Sequence, residues 1–145
     1  MSRTKLLNRR VYELVQCTEK ANFSTSDVPS KYLFTVEVEC KPEDEEDLNK
    51  WYEEEHFPLI EKVPGWVRGR RYKLVSGREL AGQADQDALP PTKYLSVHEW
   101  DRPNFKEQQE FADMYKHPWS ERVFKYVTRR DPRLFELHKD FAASK

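Results

Sequence analysis

The clearest pattern along the chain is an alternation of apolar and polar residues in segment 31–40. Phe34, Val36, Val38 and Cys40 fall on one face, and the positions between them are polar or charged. A period of two is typical of a β-strand that buries one face. Related patterns predict three further strands, in segments 66–75, 93–100 and 133–138.

Between the first two strands, apolar residues recur at helical spacing. Pro42 begins this helix, and the acidic residues of segment 43–47 fill its first turns, where the helix dipole favours negative charge. Trp51, Tyr52 and His56 lie on one stripe of the same helix. The pattern therefore predicts a helix that turns His56 towards a buried surface.

The remaining segments complete the order of elements. Segment 76–92 contains two glycines and two prolines and predicts a long loop, whose role as a lid is open. After the third strand, Pro103 and Pro118 each open a predicted helix. Residues 1–30 are read as an N-terminal extension, which fits a helix or a strand equally well.

The order β-α-β-β-α-β over residues 31–145 predicts an α+β domain of ferredoxin-like topology. In that topology two helices cover one face of the sheet and leave the other face open. A second copy of the same sheet is the obvious cover for the open face. We therefore expect a homodimer whose two sheets face each other.

Composition narrows the classes of function. The 25 basic and 26 acidic residues give a formal net charge of −1, which argues against nucleic-acid binding. Cys17 and Cys40 lack the spacing of a zinc site or a disulfide framework. No apolar run has the length of a membrane span or a signal peptide, so a cytoplasmic protein with no membrane contact is expected. HExxH, P-loop, GxGxxG and GxSxG motifs are absent from the sequence, and we expect neither metal nor cofactor.

Two histidines are candidates for proton transfer. His56 lies on the buried stripe of the first helix, and His98 lies mid-strand between Ser96 and Trp100 on one face. Imidazole has an ordinary pKa of about 6.5, so either residue can act as a general base or acid near neutral pH. In the alternative interpretation, His56 only bonds a backbone carbonyl and His98 lies in the dimer interface.

Cationic and aromatic residues supply the rest of the expected pocket. Arg70 is a candidate for holding a carboxylate or an enolate, and Tyr72 is a candidate catalytic hydroxyl. Cross-strand pairing with glutamates of the first strand is the alternative role for the arginine. The remaining candidates for substrate binding are aromatic, namely Tyr52, Trp66, Trp100, Tyr115 and Trp119.

The run Trp-Tyr-Glu-Glu-Glu-His-Phe-Pro-Leu at 51–59, Val-Pro-Gly-Trp at 63–66 and Arg-Arg-Tyr at 70–72 resembles the EthD-like proteins of the dimeric α/β-barrel superfamily. The resemblance implies a ferredoxin-like protomer, a homodimer and a cavity between sheet and helices. The family histidine would correspond to His56. Some members resemble decarboxylases of aromatic polyketide acids, and others in the superfamily are cofactor-free monooxygenases or cyclases.

The leading hypothesis is a cofactor-independent enzyme, of lyase type, that acts on an aromatic or polyketide-like β-keto compound of secondary metabolism. Decarboxylation, cyclisation and dehydration of such a compound all pass through an enolate. A non-catalytic binding or stress-response dimer is the alternative from another class. A haem-linked oxidative enzyme, with His56 or His98 as the ligand, is the third.

Overall fold

A computed structural model describes residues 6–82 and 90–141 of the chain. Its α+β architecture consists of one antiparallel sheet with short helices packed on one face. The strands are β1 Leu6–Glu19, β2 Tyr32–Glu39, β3 Trp66–Gly82, β4 Tyr94–Trp100 and β5 Arg129–Glu136. The α-helices are α1 Glu45–Trp51, α2 Phe57–Ile60, α3 Gln109–Asp113 and α4 Pro118–Tyr126.

The strands lie side by side in the order β1-β3-β4-β2-β5. Without β1, the order and the β-α-β-β-α-β sequence are those of the ferredoxin-like topology, which confirms the predicted fold class. Within the N-terminal extension, Leu6–Glu19 form a strand rather than a helix, because β1 pairs with β3 along most of its length. Residues 77–82 continue β3 where a loop was predicted, and residues 83–89 lie outside the described residues.

A register shift between Trp66 and Arg68 changes which residues of β3 share a face. Simple alternation grouped Trp66 with Arg70 and Tyr72, and this grouping is wrong. The extra residue at the shift brings Arg71 to the helix-covered face together with Trp66, and Arg71 is only 2% exposed. Arg70 and Tyr72 therefore point to the opposite face.

The core lies between the sheet and the helices. Phe34, Val36 and Val38 of β2 pack there against Leu48 and Trp51 of α1. The opposite face of the sheet carries half-buried apolar residues and two glutamates that are largely buried in ion pairs. The pairs are Arg10–Glu37 at 2.8 Å and Arg68–Glu99 at 2.6 Å. No helix in residues 6–82 or 90–141 is long and apolar enough to cross a membrane.

Candidate active site

A turn of π-helix carries the first candidate histidine. Between α1 and α2 the helix widens over Tyr52–His56, and the backbone N–H of Phe57 donates to the carbonyl of Tyr52. Such turns are rare and occur frequently at functional sites. Tyr52 and His56 are both buried against the sheet, with ring centroids 5.3 Å apart. The wide turn thus places two polar aromatic side chains in the core.

The second histidine, His98, lies in the middle of β4 and is 1% exposed. The indole N–H of Trp66 donates to its Nδ1 at 3.0 Å. Gly69 lies opposite His98 in the sheet, and a Cβ there would come within 2.9 Å of the same nitrogen. Because Nδ1 accepts this hydrogen bond, a neutral His98 carries its proton on Nε2. Local packing therefore fixes the tautomer of this imidazole.

The two imidazoles lie close together in an apolar setting. Their ring centroids are 6.2 Å apart, with the rings nearly perpendicular. Trp51 stacks on His56 at 4.5 Å, and Phe57 lies 5.3 Å from His98. In the described part of the chain, no group hydrogen-bonds the His56 ring. One ring is therefore held by packing alone, and the other by packing and a hydrogen bond.

Burial sets the charge state of both rings. Desolvation lowers the pKa of His98 from 6.5 to about 3, and the positive charge of Arg71 acts in the same direction. Desolvation also lowers the pKa of His56 well below its ordinary value, with smaller contributions from His98, Arg130 and Arg71. Both rings are consequently neutral at neutral pH, so one can accept a proton while the other donates a hydrogen bond.

A small cavity adjoins the two histidines. Its void is about 20 Å³, enough for one water molecule. Outside it lies an open groove of about 300 Å³. Tyr115, Phe124 and Arg130 line both spaces and so form the wall between them. The void beside the histidines holds only a few atoms, so a larger substrate would have to displace side chains of this lining.

The structure brings together some of the residues expected from the sequence. His56, His98, Tyr52 and Tyr115 line the cavity, and Trp66 reaches it through His98. The other four candidates lie elsewhere. Arg70 and Tyr72 are on the opposite face of the sheet, where Arg70 is 3.9 Å from Glu99 and Tyr72 packs edge-on against Tyr12. Trp100 stacks on Phe105 in the core. The indole N–H of Trp119 donates to Asp47.

Sequence reasoning missed two polar residues that line the cavity, Ser96 and Arg130, and one that lies against its Tyr52, Arg71. Ser96 is two residues before His98 on the same strand face, so spacing alone could have assigned it to the cavity lining. Arg71 was assigned to the wrong face because no residue pattern marks the shift in β3. Arg130 comes from β5, whose start was predicted four residues too late. Within the described residues, no group of three or more His, Cys, Asp or Glu could hold a metal ion.

No protein-family model matches the chain, and no curated protein matches it in sequence. Among solved structures it is similar to an anthrone oxidase-like protein, with 14% identity and a TM-score of 0.56 over 88% of this chain and 54% of that one. It is also similar to a major regulator of staphylococcal pathogenesis, with 13% identity and a TM-score of 0.55 over 88% and 68% of the two chains. An EthD family protein of Bacillus halodurans matches at 12% identity with a TM-score of 0.42, over 74% and 99%.

The similarities to the anthrone oxidase-like protein and to the staphylococcal regulator show the fold. The chain has the ferredoxin-like fold found in protomers of the dimeric α/β barrels. It spans about half the length of the anthrone oxidase-like chain that it matches. At such identities the choice of reaction has to come from the residues of this chain.

Proposed function

We propose that the protein is a cofactor-independent enzyme that moves a proton on an aromatic or polyketide-like β-keto compound. The observation that carries the proposal is the pair of buried, neutral imidazoles of His56 and His98 beside one aromatic cavity. Buried titratable groups with strongly shifted pKa values are concentrated at catalytic sites. An apolar cavity with few polar groups is also the usual form of a small-molecule site.

The two histidines have different roles in this proposal. His56 is the general base, because its ring has no hydrogen-bond partner among the described residues and is free to meet a C–H or O–H proton. His98 presents Nε2–H to the carbonyl oxygen of the substrate, since Trp66 occupies its other nitrogen. Negative charge that develops on this oxygen is stabilised by the hydrogen bond and by the nearby positive charge of Arg71.

The enolate formed in this way can continue along more than one route. Intramolecular aldol closure and loss of water both start from it. Loss of carbon dioxide from a β-keto acid differs, because cleavage of the C–C bond itself produces the enolate; His56 would first take the proton of the acid and then return it to carbon. The resemblance of segment 51–72 to the EthD-like proteins supports a substrate of the aromatic polyketide kind. The partly exposed apolar residues on the open face of the sheet, with Leu95 and Val97 at its centre, support a homodimer.

The test is product analysis with matched variants. Wild-type protein, His56→Gln, His98→Gln and the control His138→Gln, which changes an exposed histidine, are incubated with a panel of aromatic β-keto acids. Mass spectrometry should show a loss of 44 or 18 mass units, or a new isomer, with wild type and with the control. These two proteins should form the product about 10²–10⁴-fold faster than His56→Gln. Equal turnover by His56→Gln, or no product from any substrate, would reject the proposal and favour a binding protein.

Oxidation of the same carbanion by dioxygen is a second candidate function. The observation that favours it is the void of about 20 Å³ beside the two rings, which suits a water molecule or a diatomic gas but not a larger co-substrate. Addition of O₂ at an activated CH₂ group, followed by loss of water, gives a ketone and consumes one O₂ per substrate. An oxygen electrode separates this reaction from decarboxylation, which consumes no oxygen.

A further inference from the structure

A second cleft lies between the helices and the sheet, on the β1–β3 side of Tyr52. Its volume is about 240 Å³, and none of its lining residues lines the histidine cavity. The floor of the cleft is Arg71, and its walls come from β1, β3, β4 and the helix. The lining residues are Val15, Asn49, Glu53, Arg71, Lys73 and Tyr94.

The guanidinium of Arg71 is an unusual floor for a cleft. It lies 3.8 Å from the ring centroid of Tyr52 and 5.2 Å from that of Tyr94, so aromatic faces stabilise its charge. Among the described residues, Arg71 makes one hydrogen bond: its Nη2 donates to the side-chain oxygen of Asn49 at 2.9 Å. A guanidinium carries five N–H donors, so most of them remain available. No carboxylate of the described chain lies within ion-pair distance of it.

A buried charge without an ion-pair contact is costly, and one that also faces open space is suited to an anionic ligand. Lys73 lies two residues further along the same strand face, and Glu53 is the single acid of the lining. Two cations and one carboxylate give the cleft a charge of +1, which matches a monoanion. The planar donors of Arg71 match a carboxylate in particular, since both of its oxygens can be bound at once.

The apolar wall indicates the rest of the ligand. Val15 is the extra residue at a shift in register between Leu14 and Gln16, and such bulges re-aim a side chain. Its side chain turns into the lining of the cleft and is still 45% exposed. A hydrocarbon group attached to the carboxylate would cover it.

We propose that this cleft binds a small monocarboxylate with an apolar tail, its carboxylate on Arg71 and its tail against Val15. The site is separate from the histidine cavity and does not depend on the reaction proposed for it. Tyr52 connects the two spaces: it lines the histidine cavity, and its ring centroid lies 3.8 Å from the Arg71 guanidinium and 5.3 Å from the centroid of His56. A ligand in the cleft therefore lies one side chain away from the candidate base.

The experiment is a titration of the full chain with sodium benzoate, followed through the arginine Nε–H signals in ¹H–¹⁵N spectra. Acetate tests the contribution of the tail, benzamide tests the charge, and sodium chloride controls for ionic strength. Saturable binding of benzoate, weaker binding of acetate and none of benzamide are expected. Benzoate shifts no larger than those in chloride would overturn the proposal.

Variants locate the site. Lys73→Glu changes an exposed residue and makes the charge of the cleft −1, so it should weaken benzoate about tenfold or more. Lys125→Glu makes the same change on exposed α4 and should leave the affinity within about twofold. Arg71→Gln should abolish binding if it folds, and Lys73→Glu keeps the test decisive if it does not. Equal affinity in wild type and Lys73→Glu, or loss of binding in Arg130→Gln at the histidine cavity, would overturn the assignment.

Discussion

Mild acid should destabilise the protein through its buried histidines. His98 has a pKa of 6.5 when unfolded and about 3 when folded. Between these values the unfolded state binds a proton that the folded state does not, so the free energy of unfolding falls as the pH falls. Each such group contributes a slope of about 1.4 kcal/mol per pH unit. From pH 6.5 to about pH 5, His98 alone should therefore remove about 2 kcal/mol.

His56 acts in the same direction, because its pKa is also lowered by burial. The loss from His98 alone, about 2 kcal/mol, is already a substantial part of the roughly 5–15 kcal/mol that stabilises an ordinary domain, and His56 adds to it. Most carboxylates titrate below about pH 5 and contribute little there. The interval therefore isolates the histidines from the acidic residues.

Urea denaturation at several pH values between 7.5 and 5 measures the effect. The variant His98→Gln keeps an oxygen that can accept from Trp66 but cannot titrate, so its slope should be flatter by about 1.4 kcal/mol per pH unit. His138→Gln, at an exposed position, serves as the control and should retain the wild-type slope. If wild type and His98→Gln lose stability in parallel, the inference that His98 is neutral and desolvated is refuted.

Three other changes test separate parts of the structure. Trp66→Phe removes the hydrogen bond to His98 Nδ1, so the ¹⁵N chemical shifts of the His98 ring should report a mixture of tautomers, whereas wild type should show Nε2–H alone. An Nδ1–H signal in wild type would contradict the geometry. Asp47→Asn weakens an acceptor shared by three side chains of α4, so the free energy of unfolding measured in urea should fall by about 1–3 kcal/mol. An unchanged urea midpoint would show that these contacts contribute nothing. Phe124→Ala opens the wall of the cavity, so diethyl pyrocarbonate should modify His56 several-fold faster, as followed by peptide mass spectrometry. An unchanged rate would mean that the reagent reaches His56 by another route.

Much of the fold was predictable because burial on one face imposes a simple period. The alternation around Phe34 and Val36 located β2, and the stripe through Trp51 and His56 located the first helix. The same reasoning grouped His98 with Ser96 and Trp100 on one face of β4, and the grouping is right because no irregularity intervenes between them. Spacing left open whether this face meets the helices or a second subunit, and the structure shows that it meets the helices. Where the backbone is regular, the spacing of residues determines which side chains point to the same face.

The errors occur where the backbone gains a residue. The shift after Trp66 reversed the faces of β3, so Arg70 was assigned to the pocket in place of Arg71. Such bulges depend on pairing with neighbouring strands and leave no reliable trace in a single sequence. β1 was ambiguous for a related reason. Its Val11, Leu14 and Val15 are all more than 40% exposed, so no buried face imposed a period on the segment.

The π turn at Tyr52–His56 has a consequence for how this protein can vary by insertion and deletion. A π turn is an α-helical turn with one added residue, and its hydrogen bond spans five residues rather than four. Deleting Glu54, which is exposed, would restore ordinary helical spacing without removing any buried side chain. In a regular α-helix, Trp51 and His56 would lie five positions and about 140° apart around the axis, whereas the wide turn brings both rings onto one patch of the sheet. After the deletion they would be four positions and about 40° apart, so the stacked pair should survive. The wide turn is therefore a place where this helix can lose a residue and still hold its histidine against the sheet.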